Sequence, residues 1–162
     1  MDEQLVKSVE TAALRTAYVE HGSTSGWPVI LSHGFPYDVH AFDEVASILV
    51  RAGARVIAPY TRGFGLTRFV SDDVMRSGQQ AARGCDIVQL ADALGLERPI
   101  LGGFDWGGSA SCVAATLWLE RIGGLVSYAG PLVAADASSP MSGLVRYFYR
   151  PPVVRISNPG PL

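Results

Sequence analysis

Four short apolar runs punctuate this chain: PVILS (28–32), ARVIAP (54–59), PILGG (99–103) and GLVSYA (124–129). Runs this short and this apolar read as strands covered on both faces. An earlier segment, LRTAYVE (14–20), alternates as a half-buried strand does. Between the runs the period changes. Phe42, Val45, Ala46 and Leu49 recur at helical spacing, and Gly53 supplies a stop. Ile87, Leu90, Ala91 and Leu94 do the same behind a capping box at Ser77 and Gln80, with Gly95 as the stop. Ala110, Val113, Ala114, Leu117 and Trp118 form a third apolar face. Strand and helix therefore alternate over short links, which predicts an α/β fold: a mostly parallel sheet with helices on both faces.

Composition bounds the function. At 162 residues, 48% hydrophobic and 17% charged, the chain is the size of one domain with an adequate core. The net charge is -2 and the basic residues are scattered, so neither nucleic acid nor an anionic membrane surface is an expected partner. The N-terminus MDEQLVKSVE lacks an apolar signal core, and no run approaches the ~18 residues of a membrane span; the expected location is the cytoplasm. Cys85 and Cys112 belong to no CxxC or Cys/His cluster and read as buried, reduced thiols. No metal or other cofactor is expected.

One stretch carries chemistry: PILGGFDWGGSAS (99–111). A phosphate-binding loop would need a lysine where Gly108 stands, and Asp105 inside the loop would repel phosphate. A dinucleotide fingerprint needs a glycine spacing that the stretch does not supply. Gly103-Phe104-Asp105-Trp106-Gly107 does match a strand-to-helix elbow, with a nucleophile at its apex and small residues on either side. The plain alternative makes Asp105 the N-cap of the next helix.

Two further motifs bear on the choice. HGFP (33–36) directly follows one apolar strand, and RGFG (62–65) follows the next. With the elbow, in this order and at these strand ends, they resemble the α/β-hydrolase fold, in particular its epoxide hydrolase and haloalkane dehalogenase group. The resemblance spans about residues 10–130 and implies a core over 1–130, the first six strands of an eight-stranded sheet. Residues 131–162, which hold six of the ten prolines, would be the start of a lid region or an aberrant Pro-rich tail. The chain is thus expected to be truncated after the sixth strand.

The resemblance assigns roles. Asp105 becomes a nucleophile forming an ester with substrate, and the backbone amides of Phe35 and Trp106 become the oxyanion hole. His33, Gly34 and Pro36 shape the loop, with Pro36 in a cis peptide; Gly103 and Gly107 permit the elbow. Phe35 and Trp106 also line the substrate site, where the Trp106 indole either donates to a halide or simply packs in the core. Tyr147 and Tyr149 resemble phenols that protonate an opening epoxide, or else bury themselves against the sheet. Arg62 reads as structural.

The second half of such a reaction needs a general base, which in this fold comes after the nucleophile. All three histidines, His21, His33 and His40, precede Asp105, and the sixth strand's end, SYAGPL, has no acid. Two classes of function follow. One is an epoxide hydrolase-like enzyme whose chain lacks the usual acid and histidine, with haloalkane dehalogenation as the second chemistry. The other is a non-catalytic remnant or binding module of the same fold. The expected partner is a small apolar electrophile, an epoxide or halide. Self-association through an exposed edge at 124–129 is expected too, since Leu125 and Val126 would lose cover.

Overall fold

The computed structural model describes residues 5–128. Its strands are β1 (Lys7–Glu10), β2 (Leu14–His21), β3 (Trp27–Ser32), β4 (Ala54–Pro59), β5 (Arg68–Phe69), β6 (Ile100–Phe104) and β7 (Gly124–Tyr128). Its α-helices are α1 (Asp43–Arg51), α2 (Gln80–Ala93) and α3 (Asp105–Leu117). They build one sheet in the order β1-β2-β4-β3-β6-β7, with β5 beside β2. The β4-β3-β6-β7 part is parallel, and β1, β2 and β5 are antiparallel additions. The short polar strands β1 and β5 carry no apolar run, so the sequence pattern passes over them.

Successive residues of a strand face opposite sides, and each side has its own core. Ile30, Ile57 and Leu101 point toward α2 and α3 and pack with Ile87, Leu90, Ala91, Ala110 and Ala114. Val29, Leu31 and Val56 point the other way and pack with Phe42 and Ala46 beneath α1. Gly53 and Gly95 follow α1 and α2 at φ +90° and +62°, backbone positions where glycine carries no side-chain strain.

Three local expectations are corrected. Helix α2 starts at Gln80 with Gln79 as its cap and no side-chain capping bond; the Ser77 hydroxyl instead accepts from the Gln79 amide at 3.2 Å. The capping box does not form because the Ser77 carbonyl is held at 2.6 Å by Nη1 of Arg62, outside the helix. Phe42 lies in a 3-10 turn (Val39–Phe42) before α1, and Val45 is exposed. On α3 Ala110 and Ala114 are buried as expected, but the buried side also runs through Gly107, Gly108, Ser111 and Ala115, while Leu117 is exposed and Trp118 packs on the core from past the helix end. Small residues let α3 press its backbone onto the sheet, so burial follows the close contact rather than the large side chains. Cys112 is buried and Cys85 partly so, both as free thiols. Among the described residues, no helix is long and apolar enough to cross a membrane.

The topology selects a position for chemistry. From β3 the chain passes over one face to β4, then crosses back over the other face to β6, on β3's far side. This reversal lies between β3 and β6, and the carboxyl ends flanking such a switch point open a crevice in α/β sheets. Ser32 and Gly103 are paired in register there. The loops leaving these two strands are HGFP and the glycine-rich elbow.

Arg62, just past β4, locks the neighbouring α2 in place. Its Nε and Nη2 both reach the Asp86 carboxylate at 2.6 Å, with both side chains largely buried. Replacing Arg62 by methionine would leave a buried, unpaired carboxylate and is expected to cost about 3–5 kcal/mol. The check is a drop in the urea midpoint of Arg62→Met that the double replacement Arg62→Met with Asp86→Leu largely recovers.

Candidate active site

Asp105 is the first residue of α3 and has φ +51°, in the left-handed region that non-glycine residues rarely occupy. Phe104 before it is extended, at φ -133° and ψ 158°, and caps the helix without a side-chain bond. Strand therefore turns into helix within one residue. The turn closes because its neighbours have no side chains. A Cβ on Gly107 would stand 2.0 Å from the Ser32 carbonyl oxygen, and one on Gly103 would stand 2.7 Å from the Gly107 backbone.

The β3 loop approaches from the other side. A Cβ on Gly34 would lie 2.5 Å from the Asp105 Cβ, so only glycine admits the loop this close. The Phe35 amide then donates to Oδ1 of Asp105 at 3.0 Å. An N-cap side chain accepts from the amides of its own helix. Asp105 lies inside the helix, and its carboxylate takes an amide from a different loop. The Phe35–Pro36 peptide is cis.

His33 supports this contact from behind. It is 1% exposed, and its Nε2 accepts the Thr61 amide at 3.2 Å. An amide only donates, so the imidazole proton sits on Nδ1, which donates to the Gly34 carbonyl at 3.1 Å. That carbonyl and the Phe35 N–H belong to one trans peptide and point in opposite directions. Fixing the carbonyl on His33 thus aims the N–H at Asp105. Burial pushes the His33 pKa down, so the ring is held neutral.

Trp106 follows Asp105 and is 38% exposed. The Arg83 guanidinium lies over its ring, 4.4 Å from the centroid. The Trp106 amide is in the first turn of α3, where helix geometry leaves N–H groups without intrahelical partners. Phe35 exposes 65% of its surface beside this turn. Asp105, Phe35, Trp106, His33, Gly34, Pro36, Gly103 and Gly107 are thus brought together at the ends of β3 and β6. Tyr147 and Tyr149 lie outside the described residues. Of the other histidines, His40 pairs with Asp43 at 3.2 Å on the surface, and His21 ends β2.

The sequence reading missed Arg83 and Asp86. Their signal was their spacing: each stands four residues before an apolar position, Ile87 and Leu90, so both charges fall on the buried face of α2.

The chain belongs to the alpha/beta hydrolase fold family, whose model matches residues 28–151. It is 30% identical over 123 residues to epoxide hydrolase A of Mycobacterium tuberculosis, covering 76% of this chain and 38% of that protein. It is 32% identical to haloalkane dehalogenase 2 of Mycobacterium bovis, covering 69% of this chain and 37% of that one. A solved structure from Klebsiella pneumoniae, provisionally assigned as an epoxide hydrolase, matches with a TM-score of 0.77 and 39% identity over 88% of this chain and 49% of the other. The chain therefore spans less than half the length of each of these proteins.

His33 gives the fold a pH dependence with a definite sign. Its folded pKa lies below the ordinary 6.5, so its contribution is fully present above pH 6.5 and is lost as the unfolded chain takes up a proton below it. Urea midpoints measured between pH 7.5 and pH 5 should fall, and fall less steeply in His33→Asn. Equal slopes in the two chains would remove His33 as the cause.

Proposed function

We propose that this chain carries the first half-reaction of an epoxide hydrolase. Asp105 Oδ2 attacks a ring carbon of an epoxide, the carbon–oxygen bond of the ring breaks, and the released alkoxide takes up a proton to give a hydroxyalkyl ester. The observation that carries this reading is the Phe35 amide on Oδ1. It occupies one carboxylate oxygen and leaves the other as the nucleophile. Oδ1 becomes the ester carbonyl oxygen, where negative charge would collect if water then attacked the ester, and the Phe35 donor is already in place. The Trp106 amide is the second donor in this reading. Phe35 and Trp106 offer apolar surface to the substrate, and Tyr147 or Tyr149 is the candidate proton donor.

Similarity to an epoxide hydrolase and to a haloalkane dehalogenase supports attack at saturated carbon. Epoxides are favoured because the Phe35 side chain has no polar hydrogen for a departing halide. The reading as a non-catalytic binding module is disfavoured by the strained Asp105, since a left-handed non-glycine residue held against an amide of another loop serves no packing need. Water activation is a separate matter. The chain has no histidine after Asp105, and His33, the one nearest the site in sequence motif, is neutral, buried and bonded through both nitrogens. The ester is therefore expected to persist.

Exposure to a reactive epoxide such as styrene oxide should add one epoxide mass per chain, mapping to Asp105 and absent from Asp105→Ala. A haloalkane would instead add its alkyl group with loss of halide. Continuous diol release by the wild-type chain would overturn the stalled-ester reading, and no adduct at all would overturn the nucleophile.

Self-association belongs to the same proposal. Among the described residues β7 pairs only with β6, and Val126 and Tyr128 on it are 57% and 77% exposed. A second copy pairing along this edge would satisfy the N–H and C=O groups that have no partner among the described residues. Sedimentation velocity should show a concentration-dependent dimer or larger species; a monomer at every concentration would rule the edge pairing out.

A further inference from the structure

Beneath Trp106, between α2 and the carboxyl ends of the strands, lies a cavity of about 30 Å³. Its walls include Thr16, Ser32, Arg62, Arg83, Trp106 and Ala110. Two of these residues present polar atoms with nothing to bond. The Ser32 hydroxyl belongs to a residue with 0% exposure and has no hydrogen-bond partner among the described residues. Nε and Nη1 of Arg83 are buried and equally without partners among the described residues.

The ion pairing is uneven too. Arg62, Arg83 and Asp86 all line the cavity, but both Asp86 oxygens are taken by Arg62 at 2.6 Å. Among the described residues Arg83 is left with no carboxylate bonded to it, and the Asp86 and Asp105 carboxylates act on it only through space. Stacking on Trp106 offsets part of its desolvation. It does not supply an acceptor for the buried N–H groups, and buried donors on a partly buried cation are costly to leave unpaired. Burial and the Arg62 charge both push the Arg83 pKa down, the direction expected of a cation in need of an anion. Among the described residues, the remaining carboxylate that acts on Arg83 is Asp105.

The geometry points to an anion subsite: Arg83, with the Ser32 hydroxyl as second donor, receives the carboxylate of a small epoxide whose ring is presented to Asp105. A site of roughly 30 Å³ has room for about two oxygen-sized groups, at the ~10–15 Å³ that one water needs. Carboxylate is also the partner that guanidinium binds best. Trp106 links the two halves, because its ring lies under Arg83 while its backbone follows Asp105 directly. This inference rests on Asp105 being the nucleophile. It narrows the substrate from apolar epoxides to epoxides that carry a carboxylate. In the step itself Oδ2 bonds to a ring carbon, the ring carbon–oxygen bond breaks, and the alkoxide takes up a proton from the same donor as in the proposed reaction, while the carboxylate stays ionised on Arg83.

The test uses the 162-residue chain with two matched electrophiles, oxirane-2-carboxylate and oxirane-2-carboxamide, and follows adduct formation by intact mass. The ratio of the two rates cancels intrinsic reactivity when wild type and Arg83→Leu are compared. It should fall by roughly tenfold or more in Arg83→Leu, the worth of one charge-assisted hydrogen bond. Arg83→Lys, which keeps the charge, should retain an intermediate ratio. Leucine suits the apolar face of α2, and circular dichroism of each variant checks the fold. A second readout is independent of alkylation: acetate should shift the Trp106 indole proton resonance saturably in wild type and not in Arg83→Leu. Equal rate ratios in wild type and Arg83→Leu, or an acetate shift that does not saturate, would overturn the subsite. A saturable, Arg83-dependent acetate shift with no adduct from either epoxide would uphold the subsite and overturn the nucleophile instead.

Discussion

Helix α3 meets the sheet at a distance that a single methyl group would forbid. Gly103 and Gly107 put backbone against backbone, and the helix starts directly over the end of β3 rather than a turn away from it. That contact leaves Asp105 no conformation but the left-handed one, at a cost of about 1 kcal/mol or more. Other features of the site depend on it. The carboxylate is lifted out of its own helix, the β3 loop can reach it only through Gly34, and the Phe35 amide arrives at hydrogen-bonding distance.

The donor amide is held as firmly as the acceptor. A loop amide pointing at a carboxylate could swing away, but the peptide that carries it is tethered through its carbonyl to His33, and His33 is tethered to Thr61 past β4. The Phe64 ring meets the imidazole edge to face, with centroids 5.0 Å apart. Positioning therefore runs from the β4 loop through a neutral imidazole to the β3 loop and on to the elbow. It uses one tautomer of one histidine, which requires a buried and uncharged ring.

Below this layer the charges are arranged less economically. Arg62 and Asp86 form a closed pair, whereas Arg83 is buried in part with donors unused. A stability-only design would place leucine there, as the spacing of Ile87, Leu90 and Ala91 suggests. An arginine at that position, stacked on Trp106, fits the proposed site for an anionic substrate.

Much of the fold was legible because its signals are local. Apolar runs of five or six residues, helical spacing and Gly53 and Gly95 as stops gave β3, β4, β6, β7 and the three helices, and the three motifs gave the family. Strands β1 and β5 were not legible, since short polar strands gain their stability from the neighbour they pair with. The start of α2 and the exposed Val45 and Leu117 were misread for a related reason, because contacts made elsewhere decided them. The sequence by itself determined which residues stand at the strand ends and which glycines flank Asp105. Only the tertiary structure decided that Asp105 bonds to Phe35 rather than to its own helix, that His33 carries its proton on Nδ1, and that Arg83 lines a cavity beneath Trp106. Each of these depends on residues tens of positions away, whose distance and direction are fixed by sheet register and helix packing and by nothing in the local sequence.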